Sequence, residues 1–505
     1  MPRVSYYLTT PIYYVNSTPH VGHAYTTIAG DILARHHRQR GEDTFFLTGT
    51  DEHGSKIARA AEEQGLEPRA FVDEMAAHWR ELPRRVNATN DFFIRTTDPP
   101  HEAVVQEFLQ AIYDRGDIFD GTYAGLYCYS CEAFYTEAEL VDGRCPQHGT
   151  VPEYVEEKNF FFRLSAYQER LLALYDERPD FVLPRFRYNE ARSFIEQGLQ
   201  DISVSRATQR WGVPVPWEPT QVIYVWVDAL INYVSALTYA REGEDLRPRF
   251  WPARHLLAKD ILKFHCVIWP ALLLAAGYEV PRRLFVHGYL LLDERKMSKS
   301  LGNVIDPLEL IDVYGVDAVR FYLFRAVSFG QDGTISVEGL HERYERELGN
   351  DLGNLLSRTT AMISRYRGGR LEKAPGAPPW SADALRDQVA RGLDEFDLTG
   401  ALDSVWQIVR ELNRYVEDTA PWQLAKDDAR SADLDRVLYD LADGLCAIAI
   451  AVHAYLPDTS ERILSALGQP VDWSWDRVRP AVADAAEGIE PAAPLFPRVE
   501  STAAA

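Results

Sequence analysis

Residues 9–23 read T-T-P-I-Y-Y-V-N-S-T-P-H-V-G-H, and the rest of the chain is organised around them. Residues 4–8 before them are a short apolar run that reads as a buried first strand. Pro11 and the Asn16-Ser17-Thr18-Pro19 cluster break that strand. A helix is expected next, with Thr18 as N-cap, Pro19 at the first helical position, and Ala24, Ile28 and Ile32 on the buried side. His20 and His23 are three apart, so both imidazoles project from one side of the first turn. Unpaired N–H groups and the positive dipole end make that turn a seat for phosphate. Gly22 leaves room for a flat ring to approach the backbone. The pattern describes a nucleotide site in the first strand-to-helix crossover, although H-V-G-H alone fits surface histidines or a chance metal pair better.

Lys296-Met297-Ser298-Lys299-Ser300 decides the matter from a glycine-flanked loop far down the chain. Together the two motifs resemble H-x-G-H and K-M-S-K-S of the class I aminoacyl-tRNA synthetases. That resemblance implies an ATP site of His20, Gly22, His23, Lys296, Met297, Ser298 and Lys299, with His20, His23, Lys296 and Lys299 catalytic.

The 505 residues imply several domains, and 46% hydrophobic with 25% charged residues is an ordinary globular balance. No apolar stretch suffices to span a bilayer and the N-terminus lacks a signal-peptide pattern, so the expected compartment is the cytosol. A net charge of −22 argues against a non-specific nucleic-acid binder and against DNA as partner. It leaves room for an enzyme that reads one folded RNA through local basic patches. Residues 35–40 (R-H-H-R-Q-R) and the arginines at 358, 365, 367 and 370 are candidates, each reading more often as a solvated helix face.

Residues 44–48 read as a second strand ending in Gly49-Thr50-Asp51-Glu52-His53-Gly54. Ligands of open α/β sheets bind at the carboxyl ends of strands, which places Asp51 in the same crevice as His20; turn capping is its other reading. Hairpin-like runs begin near 116. Cys128-x-x-Cys131 and Cys145-x-x-His148 then form a zinc knuckle, two chelating loops suited to tetrahedral thiolate and imidazole ligation. Four protein ligands leave no open position, so one structural Zn²⁺ is expected. Cys266 and Cys446 lie in apolar helices and read as core.

The sheet is expected to resume after about 205. Residues 221–227 (Q-V-I-Y-V-W-V) read as a parallel strand buried on both faces, delivering Asp228 and then a helix with Tyr233. Strands at 255–258 and 284–286 follow, the first leading to Lys259-Asp260-Ile261 and a helix with His265 and Trp269. After 338 the period becomes 3.6. Leu340, Tyr344, Leu348, Leu352 and Leu355 mark one face of a long helix, and Asn350, Asn354 and Arg358 a polar stripe. Further helices are expected at 383–396, 400–418 and 432–455. The last thirty residues, acidic and rich in alanine and proline, are expected to pack only in part.

The fold class read from this is α/β. A doubly wound, Rossmann-like parallel-sheet catalytic domain is split by a small zinc-binding insertion and followed by an α-helical anticodon-binding bundle. The expected divisions are 1–115 and 206–286 for the catalytic halves, 116–205 for the insertion, 287–337 for the lysine-motif and stem-contact region, 338–467 for the bundle and 468–505 for the tail.

Within class I the chain resembles the methionyl-tRNA synthetases over nearly its whole length. Besides the first motif, the stretches that carry this are T-G-T-D-E-H-G, Y-V-W-V-D-A-L-I-N-Y, K-D-I-L-K-F-H-C-V-I-W-P and K-M-S-K-S-L-G-N. The resemblance implies a methionine pocket of Ile12, Tyr14, Trp226, Ala229, Leu230, Tyr233, Asp260, Ile261, His265 and Trp269. Asp51 would receive the ammonium and Arg206 would approach the carboxylate. Aromatic walls suit a thioether, and Tyr233 or His265 is a candidate hydrogen-bond donor to its sulfur. Leu230 stands where some relatives have Pro, and Trp269 also reads as plain core. Asn354, Arg358 and Trp422 match residues that read the CAU anticodon, by stacking on unstacked bases and hydrogen-bonding to them. Trp422 follows Pro421 and reads equally as a capping hydrophobe.

The implied activity is ATP-dependent activation of L-methionine, with Mg²⁺ accompanying ATP, and transfer to initiator and elongator tRNA(Met). An insertion of this size with a zinc staple disfavours the isoleucine, valine and leucine enzymes, which carry large editing domains. A catalytically silent tRNA-binding paralogue is the alternative of another kind. Some relatives dimerise through an appended C-terminal RNA-binding domain; without one, a monomer is expected.

Overall fold

The computed structural model describes residues 4–129, 132–146, 149–292, 295–296, 305–374, 376 and 378–499. Among them, a sheet of seven parallel strands forms the centre. Tyr13–Tyr14 lies beside Asp43–Asp51, followed by Ser5–Thr9, Arg254–Ala258, Arg283–His287 and Val182–Leu183; Phe92–Arg95 also pairs with Asp43–Asp51. Alternate residues enter two cores: Leu8 and Phe46 face one, Tyr7, Phe45 and Leu47 the other. This is why the strands read as unbroken apolar runs. Ser5–Thr9 has Asp43–Asp51 on one side and Arg254–Ala258 on the other, so strand order reverses at its carboxyl end, where open sheets bind ligands.

The crossover helix Val21–Gln39 buries Ala24, Ile28 and Ile32 as expected, but it starts later than the sequence suggests. Its N-cap is His20, not Thr18. Residues 221–227 are also corrected. The strand there, Glu218–Ile223, pairs antiparallel with Ser205–Arg206 and Pro214–Val215 in a separate three-stranded sheet. Helix Val225–Tyr239 then begins, the Tyr224 carbonyl accepting from the N–H groups of Val227 and Asp228 at 2.9 and 3.1 Å. A short apolar run buried on all sides has no period to separate strand from helix.

Between 116 and 205, strands Ile118–Cys128 and Glu153–Phe162 form a long antiparallel hairpin that also carries Ala133–Tyr135. The same stretch contributes to the central domain. Val182–Leu183 is the edge strand of the parallel sheet, and helices Gln168–Glu177 and Arg185–Glu196 send Leu171, Tyr175 and Ile195 into its core.

A long helical rod opens the C-terminal part: Val337–Arg343, wide π-helical turns over Tyr344–Gly353, then Asn354–Arg367. Helices Ala382–Asp394, Leu398–Thr419 and Ser431–Val452 follow as expected, with a further one at Pro457–Ala466. The tail is anchored at intervals as far as 499, with most residues between the anchors exposed. Trp475, Val478, Val482, Ile489 and Leu495 are buried, and Trp473 stacks on His453 with ring centroids 4.0 Å apart.

Residues 35–40 are neither a basic patch nor a solvated face. Arg35 pairs with Asp31, Arg38 with Asp91 and Arg40 with Asp394, at 2.8, 2.6 and 2.7 Å, while His36, His37 and Gln39 are buried. Wholly buried Arg320 completes this junction. It donates to the carbonyls of Ala454 (2.7 Å) and Tyr455 (2.8 Å) beside the bundle, to that of Val86 (2.9 Å), and to Asp31 (2.7 Å) on the crossover helix. Removing one partner of such a pair costs about 3–5 kcal/mol. Among the described residues, no helix is long and apolar enough to cross a membrane.

Candidate active site

A cavity of about 960 Å³ opens at the carboxyl ends of the central strands. At one wall, His20 leaves an extended backbone (φ −131°, ψ 172°) to cap the crossover helix. Its Nδ1 accepts from the N–H of Gly22, and Nδ1 of His23 accepts from the N–H of His20, both at 3.1 Å. This is a capping box built from two imidazoles. Each Nδ1 accepts, so each ring carries its proton on Nε2. The rings lie 3.8 Å apart and line the cavity. A Cβ on Gly22 would stand 2.9 Å from Cε1 of His20, so a larger residue would push the capping ring off the helix end. Two ring N–H donors at a positive helix terminus form an anion seat.

The slot opposite is aromatic. Trp226 stacks on Phe264 with centroids 4.0 Å apart and planes 9° from parallel. Phe264 and His265 both line the cavity from a π-helical turn, Phe264–Ile268, a widening that functional sites favour. Tyr233 and His265 share a hydrogen bond of 2.7 Å, and Nδ1 of His265 lies 3.1 Å from the Ile261 carbonyl. That carbonyl only accepts, so Nδ1 donates to it and Nε2 accepts from the Tyr233 hydroxyl. Burial holds His265 neutral, its pKa lowered to about 4. Both protons expected to meet a thioether sulfur are thus engaged within the protein, and the faces the slot offers are aromatic rings, surfaces that suit a thioether.

Ile12, Tyr14, Ala229 and Leu230 complete this wall, with Asp51, Asp260 and Ile261 beside them. Two expected members stand behind it. Trp269 is fully buried, and its Nε1–H donates to Nε2 of His255 at 3.3 Å. Arg206 is also buried. Its guanidinium lies 4.1 Å from the Tyr127 ring centroid and 5.2 Å from that of Phe134, and its Nε donates to Glu157.

Asp51 is buried, and among the described residues its Oδ1 has no hydrogen-bond partner. Burial, then the nearby Asp228 and Glu132 carboxylates, push its pKa well above the usual range. Asp228 behaves oppositely: His53 at 2.7 Å and His101 at 2.9 Å overcome its desolvation and hold it down to about 2. Among the described residues no cation pairs with Asp51, and such a buried carboxylate has the chemistry of an acceptor for a ligand's ammonium.

Lys296 closes a short strand, Arg295–Lys296, paired antiparallel with Leu290–Leu292; Met297, Ser298 and Lys299 lie outside the described residues. So do Cys131 and His148. Of the four expected zinc ligands, the structure describes two. Cys128 and Cys145 are both buried at the end of the hairpin. Thr150 joins them, its hydroxyl 3.3 Å from Sγ of Cys128 and its carbonyl 2.8 Å from the N–H of Cys145. Far from the cavity, Asn354 is exposed on helix Asn354–Arg367. One turn later, Arg358 pairs with Glu417 at 2.8 Å and lies 5.8 Å from the Trp422 ring centroid.

Residues that sequence reasoning missed include Lys56, Glu132, Phe264 and Tyr289, all lining the cavity. Phe264 was legible beside His265, and Lys56 stands just after D-E-H-G. Nothing in the sequence ties Glu132 to the crevice.

A family model described as tRNA synthetases class I (M) matches residues 6–150 and 139–360. The methionine–tRNA ligase of Streptomyces coelicolor is 44% identical, over 99% of this chain and 98% of that protein. That of Caldanaerobacter subterraneus is 44% identical over 99% of this chain and 79% of its own length. Among solved structures, Mycobacterium tuberculosis methionyl-tRNA synthetase with methionyl-adenylate superimposes with a TM-score of 0.93, at 39% identity over 98% of this chain and all of that one. The free form of that enzyme gives 0.86 at 36% identity, over 99% of each chain. The chain belongs to the class I methionine–tRNA ligases.

Proposed function

We propose that the chain activates L-methionine with MgATP and transfers the methionyl group to initiator and elongator tRNA(Met). The observation that carries this is one cavity joining three features: the buried carboxylate of Asp51, whose Oδ1 has no partner among the described residues, the aromatic slot of Trp226, Tyr233 and His265, and the anion seat of His20 and His23. In that arrangement the ammonium of methionine pairs with Asp51 and the thioether enters the slot. The substrate carboxylate then faces the α-phosphate of ATP held at the helix N-terminus. A carboxylate oxygen attacks that phosphorus, the bond to the bridging oxygen breaks, and pyrophosphate leaves with its electron pair. A hydroxyl of the terminal adenosine of tRNA next attacks the acyl carbon, and AMP leaves.

The protein's share is positioning and charge neutralisation, by the Nε2–H groups of His20 and His23 and by Lys296 and Lys299 on the phosphates. Arg206, buried behind the slot, acts on the substrate carboxylate through the residues in front of it. Cys128, Cys131, Cys145 and His148 would hold one structural Zn²⁺, which would staple the hairpin end. Asn354, Arg358 and Trp422 would read the anticodon, and the working form would be a cytosolic monomer.

ATP–pyrophosphate exchange measured across the standard amino acids tests the reading. Exchange with methionine alone is expected, and none with methionine refutes it.

A further inference from the structure

We infer that Glu132 is a positioning residue for the amino-acid site, reaching across the crevice from the cysteine loop to hold the helix that follows Asp51. The inference rests on the methionine-activation reading above. Glu132 is a carboxylate with only 2% of its surface exposed, on a backbone in the left-handed region (φ 49°), which non-glycine residues seldom adopt. Burial and strain together need compensation, which Oε1 finds in its neighbours while Oε2 is buried with no hydrogen-bond partner among the described residues.

Oε1 of Glu132 accepts from the hydroxyl of Ser55 at 2.9 Å and from the N–H of Lys56 at 2.6 Å. Both belong to the first turn of helix Ser55–Glu63, whose own N-cap residue, Gly54, offers no side chain. A helix N-terminus needs an acceptor for its unpaired N–H groups, and a carboxylate there also meets the positive dipole end. Here the cap comes from a distant part of the chain. Gly54 makes room for it: at φ +100°, a Cβ would fall 2.3 Å from Oε2 of Glu132 and 2.5 Å from the Tyr14 hydroxyl. That hydroxyl donates to the His53 carbonyl at 2.8 Å, closing the corner around Asp51. From the other side, the Tyr224 hydroxyl donates to the Glu132 carbonyl, and Tyr224 is the N-cap of the helix that carries Trp226. One residue thus ties together the strand end bearing Asp51, the Tyr14 wall and the start of the Trp226 helix. The anion seat of His20 and His23 is built from other contacts.

The test is pyrophosphate exchange with methionine by Glu132→Ala and Glu132→Gln in the full-length protein. Glu132→Ala is expected to raise KM for methionine about tenfold, the factor of one hydrogen bond to a charged group. KM for ATP should change by less than about twofold, and zinc measured by metal analysis should stay at the wild-type level. Glu132→Gln keeps an oxygen that accepts from Ser55 and Lys56, so it should restore most of the methionine affinity. A wild-type KM for methionine in Glu132→Ala overturns the inference. So does an equal rise in both KM values, a loss of zinc, or a glutamine variant no better than alanine. Gly54→Ala, which drives the carboxylate off the helix end, should raise KM for methionine in the same way, and a wild-type value there also overturns it. Wild-type exchange, run alongside, tests the methionine reading by itself, since inactive wild-type protein refutes that reading rather than the role of Glu132.

Discussion

Replacing Asp51 by Asn should weaken substrate binding and stabilise the ligand-free protein at the same time. The amide has nearly the shape of the carboxylate and lacks its charge. Asp51 is buried with one oxygen unpartnered, so the methionine ammonium has a buried, unscreened partner in it. Deleting one member of such a pair costs about 3–5 kcal/mol, or roughly 10²–10⁴ in kcat/KM for methionine. In the free protein the sign reverses. Burial and neighbouring carboxylates raise the folded-state pKa above the ordinary 3.8. A group raised in this way contributes stability that is fully present below its unfolded value and lost as pH rises through the folded value. Above that window the wild type carries an uncompensated buried charge, and Asp51→Asn removes a penalty of about 1–3 kcal/mol. The assays are methionine-dependent pyrophosphate exchange and thermal melts of ligand-free protein at pH 5 and pH 8. The variant should bind methionine far more weakly and melt higher than wild type, with the larger difference at pH 8. For the wild type, KM for methionine should rise as pH falls and Asp51 takes up a proton. A variant with wild-type KM, or one that melts lower than wild type at pH 8, refutes the assignment of Asp51 as the unpaired ammonium acceptor.

Three further outcomes are expected, two from the geometry and one from the cysteine spacing. His20→Asn keeps an excellent N-cap but loses a ring N–H, so adenylate formation should fall about 10²–10³-fold at an unchanged melting temperature; a matching loss of stability would make the imidazole purely structural. Trp422→Ala, beside Arg358, should lower charging of tRNA by roughly tenfold or more, from about 1–3 kcal/mol of base stacking, and leave pyrophosphate exchange intact. Loss of both activities would assign Trp422 to folding. Cys131→Ser should lower bound zinc and melting temperature together, and zinc-free wild-type protein with a disulfide between Cys128 and Cys131 would rule the metal out.

The sequence by itself determined what contiguous residues can encode. The apolar run ending at Thr9, the breaker cluster and H-V-G-H specify a strand, a turn and a helix N-terminus, because backbone donors for phosphate come from neighbouring residues. T-G-T-D-E-H-G placed Asp51 at a strand end for the same reason, and Trp226, Tyr233 and His265 were legible from their place in quoted stretches. Tertiary structure decided everything that depends on partners distant in sequence. His20 is the cap rather than Thr18 because the His23 ring accepts from the His20 N–H and the His20 ring from that of Gly22. Residues 221–227 split into strand and helix, since an apolar run buried on every side has no period to choose by. The basic run 35–40 is neutralised by Asp31 one turn earlier on the same helix and by Asp91 and Asp394, which arrive from distant parts of the chain. Trp269 reads both as pocket and as core in sequence, and the fold spends it on His255 behind the cavity that Trp226 lines. Glu132 shows the limit most plainly: a buried charge acquires its meaning from the groups that meet it, and these lie far from it along the chain.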